Sequence, residues 1–476
     1  MDRSLSAVLV GTFLLRFSTG LTGTMLVYFV ADLPGHGGPE VTALVVGIFA
    51  ALFYLAELTL SPLFGLLSDR QSFHRVMQYG PLFGAVAVFI TGLVPPIFRA
   101  GETFDLLFMT VSLATIGLIV IAFTRWLEGA STAASVPSVL GFIALATSDD
   151  ESLRGRIAAR FELVTIVGIG AGIVAAGPLW QGIPWRQLGL EPAAAFFLNG
   201  IFYMISLAIY RWGVAAPERP AGPHHHPMYG VARYWRLVTT SHVWLLAPTW
   251  IAINAALGLY ATQTLFALVR TPDPRFADQL LAGGIEPLQV TAGLIFAGVV
   301  FVAGLIYWGD RFAQFRRTTI IFYGIIGGAV LVAAVMVFNY SAGWPLPLQL
   351  ALLAPAVGGL FVLAGATPAA LGLLADISET YPDDRGAIMG LYSVFLAIGQ
   401  IIGALLGGFA SEWAAITGIL IATVALLGMA ILPLAHLRAY EHQFVAGPGG
   451  HQPPTPEDAP AHDPEHAHAD AHETVP

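Results

Sequence analysis

The chain has 476 residues, 56% of them hydrophobic and only 11% charged, and its mean hydropathy of +0.73 lies far outside the range of soluble globular domains. The formal net charge of −9 comes from acids gathered in the connections and the C-terminal tail, which excludes a basic nucleic-acid surface. With no cysteine and all 21 basic residues Arg, a disulfide framework, a thiolate metal site and the lysine of a G-x-x-x-x-G-K-[ST] nucleotide loop are excluded as well.

Arg3 is the one basic residue ahead of the first full-length apolar run, and no small-residue cleavage site precedes that run. The segment therefore reads as a retained first span. A spanning helix needs roughly 20 mainly apolar residues. On that criterion spans are predicted at 5–31, 41–67, 76–97, 112–146, 162–180 and 193–210, and, after a Pro- and Gly-rich linker holding His224, His225 and His226, at 242–269, 288–308, 318–338, 347–374, 387–410 and 413–433. The run 105–147 is apolar for longer than one ordinary span, and an internal repeat decides how to divide it. Pro137, Leu140, Gly141, Arg154, Gly155, Gly168, Gly172 and Gly177 recur 231 positions later as Pro368, Leu371, Gly372, Arg385, Gly386, Gly399, Gly403 and Gly408. Asp69, Arg70 and Arg75 recur 241 positions later as Asp310, Arg311 and Arg316, so ten extra residues fall in the link 95–115 and one span follows it.

The predicted fold is an all-α membrane protein of 12 transmembrane helices in two pseudo-symmetric six-helix bundles, 1–212 and 240–436, joined by a linker at 213–239. Residues 437–476 are polar, acidic and Pro-rich, too poor in apolar side chains to bury a core, and are expected to be disordered. Their histidines (His442, His451, His462, His466, His468, His472) read as incidental parts of a solvated low-complexity end, with a metal-buffering tail as the alternative. One set of connections holds 15 Arg and the opposite set 4 (Arg99, Arg186, Arg270, Arg275), which predicts cytoplasmic termini and, with them, a plasma (inner) membrane protein.

Four charged residues lie deep inside spans: Arg16, Glu57, Arg125 and Glu128. Such residues are costly in a bilayer and should face a partner or a cavity. Arg16 and Glu57 sit at matching depth, about 16–18 Å from the terminal face at 1.5 Å per residue. The second repeat has no charge to match them: Glu57 falls on Gly298, and Asn254 stands opposite Arg16. Glu57 therefore reads either as a proton site governed by a movable Arg16 or Arg125, or as half of a fixed ion pair that orders the bundle. Arg125 and Glu128, at i,i+3, face the same choice between coupling and structure.

The segment Gly65–Met77 resembles the signature loop of the major facilitator superfamily, G-x-L-[AS]-D-R-x-G-R-[RK]-[RK], through Gly65, Leu67, Ser68, Asp69, Arg70 and Arg75, with Ser72 and Phe73 departing from it. Asp310, Arg311, Arg316 and Arg317 form its second copy, and Arg125, Glu128 and Gly129 resemble the family's R-x-x-[QE]-G element on the fourth span. The resemblance implies that Gly65, Asp69, Arg70, Arg75, Asp310, Arg311 and Arg316 form a gating loop in two copies, with Asp69 meeting Arg154, Arg156, Glu162 or the start of the eleventh span. It further implies a cavity lined by spans one, four, seven and ten, for which Ser18, Asn254, Tyr260 and Gln263, with Gln400 on the eleventh span, are candidate substrate contacts. The fifth- and eleventh-span glycines are expected to bring the two halves close together. Few polar residues in those walls suit a mostly apolar ligand.

The expected function is secondary transport by alternating access, with proton-coupled export of a hydrophobic or amphipathic small molecule. A uniporter or importer of a metabolite is the alternative, and a non-transporting bundle that delivers a pigment or lipid or assembles a membrane complex is a second. No nucleophile–base pair or metal-ligand cluster falls within the spans, so an enzyme is not expected. The expected partners are a small-molecule substrate, the lipid bilayer and a proton, with no cofactor and the chain acting as a monomer.

Overall fold

The computed structural model describes residues 3–36, 38–95, 103–106, 109–147, 151–185, 187–215, 243–311, 314–379 and 385–445. Most of the linker and of the His-rich tail lies outside them. In chain order the helices are α1 (Arg3–Asp32), α2 (Ala43–Arg70), α3 (Phe73–Leu93), α4 (Leu113–Ala146), α5 (Glu151–Gly177) and α6 (Ala194–Ala208), then α7 (Val243–Val269), α8 (Pro287–Gly309) and α9 (Arg317–Asn339). Next comes α10, assembled from Leu346–Ala351, Leu353–Leu363 and Ala366–Glu379. The last helical run, Arg385–Val445, is 61 residues long, about 90 Å at 1.5 Å per residue and three times the hydrocarbon thickness. It is broken at Ala414 and Ala415, the latter at φ 49, and so forms two spans, α11 (385–413) and α12 (416–445). Gln279 clamps this break: its amide donates to the Ala414 carbonyl at 3.1 Å and its Oε1 accepts from the Thr417 N–H at 3.3 Å.

Eleven described helical stretches are long and apolar enough to cross a membrane, and dividing the last at its break makes twelve. Two details depart from the sequence-based expectation. The longer link before α4 holds a two-stranded antiparallel hairpin, β1 (Thr103–Leu106) and β2 (Met109–Ser112), which ends in Ser112 capping α4 through the Ala114 N–H at 3.2 Å. And α12 continues to Val445, past the expected start of the disordered tail at 437.

Buried apolar side chains form two clusters, one drawn chiefly from α1–α6 and one from α7–α12. Within each half the helices interlock through glycine. A Cβ on Gly168 of α5 would lie 2.9 Å from the Phe13 carbonyl and 3.0 Å from Cβ of Arg16 on α1. A Cβ on Gly399 of α11 would lie 2.7 Å from the Ile251 carbonyl and 2.6 Å from Cβ of Asn254 on α7. Backbones can approach this closely only without a side chain. This corrects one expectation: Gly168, Gly172, Gly399 and Gly403 pack within their own halves, and among the repeated glycines Gly177 and Gly408 meet the other half.

Candidate functional site

The deep charges of the first bundle occupy two places. On α1, Arg16 is 7% exposed and donates from Nη1 to Thr132 Oγ1 on α4 at 3.3 Å. Its charge also reaches Glu57 on α2 and Glu162 on α5. Glu57 is half-buried, and no ion pair within 4.0 Å joins it to Arg16 among the described residues. On α4, Arg125 and Glu128 are buried and form a direct ion pair, one helical turn apart. Gly129 leaves room for α4 to press against Phe53 and Ala56 of α2, and that contact sets the Arg125 guanidinium over the Phe53 ring at 5.0 Å. One pair is thus fixed, and the other is held only through space.

Around Glu128 runs a polar seam that the sequence reading missed. Thr22 donates to the Ser18 carbonyl at 2.9 Å and accepts from Asn199 Nδ2 at 2.7 Å, while Tyr203 bonds Thr19 at 3.3 Å and Thr91 donates to Thr124 at 2.9 Å. Glu128 Oε1 has no hydrogen-bond partner among the described residues. Isolated Thr, Asn and Tyr residues on α1, α3, α4 and α6 gave no signal singly; they matter because four helices converge there.

The second bundle answers these charges with neutral groups. Gly399 faces Asn254 just as Gly168 faces Arg16, so the packing confirms the correspondence of the two positions. Asn254 donates to the carbonyl of Trp250 in its own helix at 2.9 Å. Of the other candidate contacts, Ser18 is fully buried against α6 and Gln400 packs on Gly258 of α7. Tyr260 borders an apolar cavity inside the second bundle. Gln263 bridges the halves, donating from Nε2 to the Ala43 carbonyl of α2 at 3.1 Å and to the Ala404 carbonyl of α11 at 3.4 Å.

The bundles touch at the end distal from the chain termini. There the N–H of Ala43, at the start of α2, donates to the Glu412 carboxylate at the end of α11, and Gln181 Oε1 accepts from the Leu288 N–H at 3.2 Å. A Cβ on Gly177 would meet the Pro287 carbonyl at 2.6 Å, and one on Gly408 would meet Cα of Leu44 at 2.7 Å. Glu412 was not singled out from sequence, because a carboxylate near a span end looks like any other loop charge. In the same mouth Arg275 bonds Asp273 at 2.6 Å and holds that carboxyl below its ordinary range.

At the terminal end lie the loop motifs. Ser72, which replaces the expected glycine, caps α3 by accepting from the Arg75 N–H at 3.2 Å, and Phe73 inserts its ring where Gly141 of α4 leaves space. In the second copy, Gly372 of α10 makes the same room for the Arg317 guanidinium, with Nε 3.0 Å from where a Cβ would stand. Gly65 lies near Pro137; Arg70, Arg75, Asp310 and Arg316 are exposed; Arg311 stacks on Tyr307 at 4.7 Å. The side chains of Asp69, Arg154 and Arg385, and hence the expected contacts among them, fall outside the described residues.

Compared with known proteins, the chain is 23% identical over 412 residues to Quinolone resistance protein NorA of Staphylococcus aureus (strain MRSA252), covering 86% of this chain and 90% of that one. It is 26% identical over 365 residues to Multidrug resistance protein 1 of Bacillus subtilis (strain 168), covering 76% and 79%. Among solved structures, a bacterial homolog to the human lysosomal transporter Spinster, in an inward-facing and unoccupied conformation, superposes with TM-score 0.62 at 12% identity over 94% of this chain and 98% of that one. The nucleoside transporter NupG superposes with TM-score 0.57 at 14% identity over 92% and 99%. No protein-family model matches the chain.

Proposed function

Starting from a multi-pass membrane transporter with the major facilitator fold, we propose that this chain couples proton entry to the export of hydrophobic or amphipathic small molecules, quinolone-like compounds among them. The observation that carries the coupling is the asymmetry of the duplicated bundles: Arg16, Glu57, Arg125 and Glu128 all lie in the first, with Asn254 and Gly298 at the positions that answer Arg16 and Glu57 in the second. Duplication supplies two halves that rock against each other. Charge confined to one half supplies a group whose proton affinity changes as they move. Export of amphipathic molecules follows the relatives and the scarcity of polar groups in spans one, four, seven and ten.

The test is transport in proteoliposomes with norfloxacin as probe. An imposed pH gradient should drive its accumulation, and an uncoupler should abolish it. Equal flux with and without the gradient would favour the uniporter, and no flux at all would favour a non-transporting bundle.

The 15-to-4 Arg bias supports cytoplasmic termini in an inner membrane, and on that reading the joined end of the bundles faces outward and closes the outer side. Cysteines placed at Ser72 and at Leu188, which is 61% exposed at the opposite end, test this in intact cells. An impermeant maleimide should label position 188 alone; labelling at 72 reverses the orientation.

The gating loop makes a further prediction. Asp69→Asn keeps size and removes the charge that would join the halves on the cytoplasmic side, so transport should fall by an order of magnitude or more at unchanged yield. Asp310→Asn should cost less, since its copy lacks the full signature and Asp310 is exposed. Equal, negligible losses would leave the loops with a topological role only.

A further inference from the structure

An apolar cavity of about 240 Å³ lies inside the second bundle, bounded by Tyr260 and Thr264 of α7, Phe338 of α9, Ala356 of α10 and Ile419 of α12. The duplication explains why space is left there. The glycine contacts equate Arg16 with Asn254, a separation of 238 that carries Thr22 onto Tyr260. The repeat offset of 231 carries Arg125 onto Ala356 and Glu128 onto Gly359. In the first bundle Thr22 lies beside Glu128; in the second, Tyr260 and Ala356 border the same cavity. Two separate registers thus point to one position. Where the first half places the Arg125 side chain, the second has only the Ala356 methyl group, and Tyr260 takes up part of the space; Gly359, at the place of Glu128, instead lets α10 press against Gly327 and Leu331 of α9. Thr264 Oγ1 is left without a hydrogen-bond partner among the described residues.

We propose that this cavity is a binding site for a neutral aromatic molecule, or the neutral aromatic part of one, with a hydrogen-bond acceptor directed at the Thr264 and Tyr260 hydroxyls. At an interior packing density of about 0.74 the space holds a bicyclic ring system with a short substituent. An apolar wall of this kind repels a charged group, which would find no counter-charge among the lining residues. The orphan hydroxyl of Thr264 selects an acceptor over a plain hydrocarbon. The duplicated fold thereby divides its labour, with charges in one bundle and ligand in the other. The site rests on the exporter reading only in taking the exported molecule as its natural occupant.

The test is equilibrium binding to the purified full-length chain in detergent, with 2-acetylnaphthalene as a polarity-sensitive fluorescent probe and 2-ethylnaphthalene as a competitor lacking the acceptor. The ketone should bind saturably, read as a change in its emission intensity, and Ala356→Phe, which fills the cavity, should weaken it at least tenfold. Thr264→Val, nearly isosteric, should weaken the ketone about fivefold and leave the hydrocarbon unchanged. Ketone affinity unchanged by a folded Ala356→Phe overturns the site. If that variant fails to fold, Thr264→Val decides: equal effects on ketone and hydrocarbon, or none on either, overturn it. Binding that follows these expectations in a protein that moves no norfloxacin would remove the exporter reading and leave the site standing.

Discussion

Glu57→Gln is expected to abolish gradient-driven norfloxacin accumulation, by an order of magnitude or more, while leaving exchange down a concentration gradient and the melting temperature nearly unchanged. The amide has the shape of the protonated carboxyl but can neither take up nor release a proton, so the half-cycle that needs the charged form loses its drive. Stability should hold because Glu57 is half-buried and no ion pair within 4.0 Å ties it to Arg16 among the described residues. Without a direct ion pair or hydrogen bond between the two side chains, the amide leaves no partner stranded. Gradient-driven and gradient-free flux would be measured on the same proteoliposomes, alongside thermal unfolding in detergent. Undiminished accumulation would eliminate Glu57 as the coupling carboxyl and move the assignment to Glu128, whereas a large drop in melting temperature would make Glu57 a structural partner.

Arg125→Ala should act in the opposite way, on stability first. It strands the Glu128 carboxylate, 2% exposed, inside the bundle and removes the guanidinium from the face of Phe53. Breaking a buried ion pair by deleting one partner costs about 3–5 kcal/mol, most of it the uncompensated charge. Folded yield and melting temperature should therefore collapse. Combining Arg125→Ala with Glu128→Gln removes that charge and should recover much of the loss, since replacing both members of a buried pair is often close to neutral. A single variant as stable as the parent would show that the pair contributes nothing to the fold. A double variant that regains stability and also drives transport on a pH gradient would assign the pair to structure alone and leave coupling to Glu57.

Much of the architecture was legible in the chain itself. Twelve apolar runs and the offsets of 231 and 241 between repeated residues need no tertiary information, because a bilayer demands a fixed length of apolar helix and a duplicated scaffold keeps its sparse glycine and arginine positions. The break at Ala414 and Ala415 left no comparable mark, since the turn is made by two alanines and stabilised by Gln279, more than a hundred residues earlier in the chain. The hairpin at Thr103–Ser112 was visible only as ten extra residues.

For the site, the unusual charges can be read from the chain alone: Arg16, Glu57, Arg125 and Glu128 stand out because ionisable groups at that depth are rare and because their second-half counterparts are neutral. How they divide depends on the packing of the helices. Arg125 closes on Glu128 within one helix, while Arg16 turns to Thr132 and reaches Glu57 only through its field. The tertiary structure also assigned Gly168 and Gly399 to packing within each half and brought Glu412 to the N–H of Ala43 across the bundles. The physical reason is range. Depth in a bilayer is a count along one segment, whereas the meeting of two side chains depends on how closely separate helices approach, and here that distance is set by missing Cβ atoms against backbone carbonyls far away in the chain.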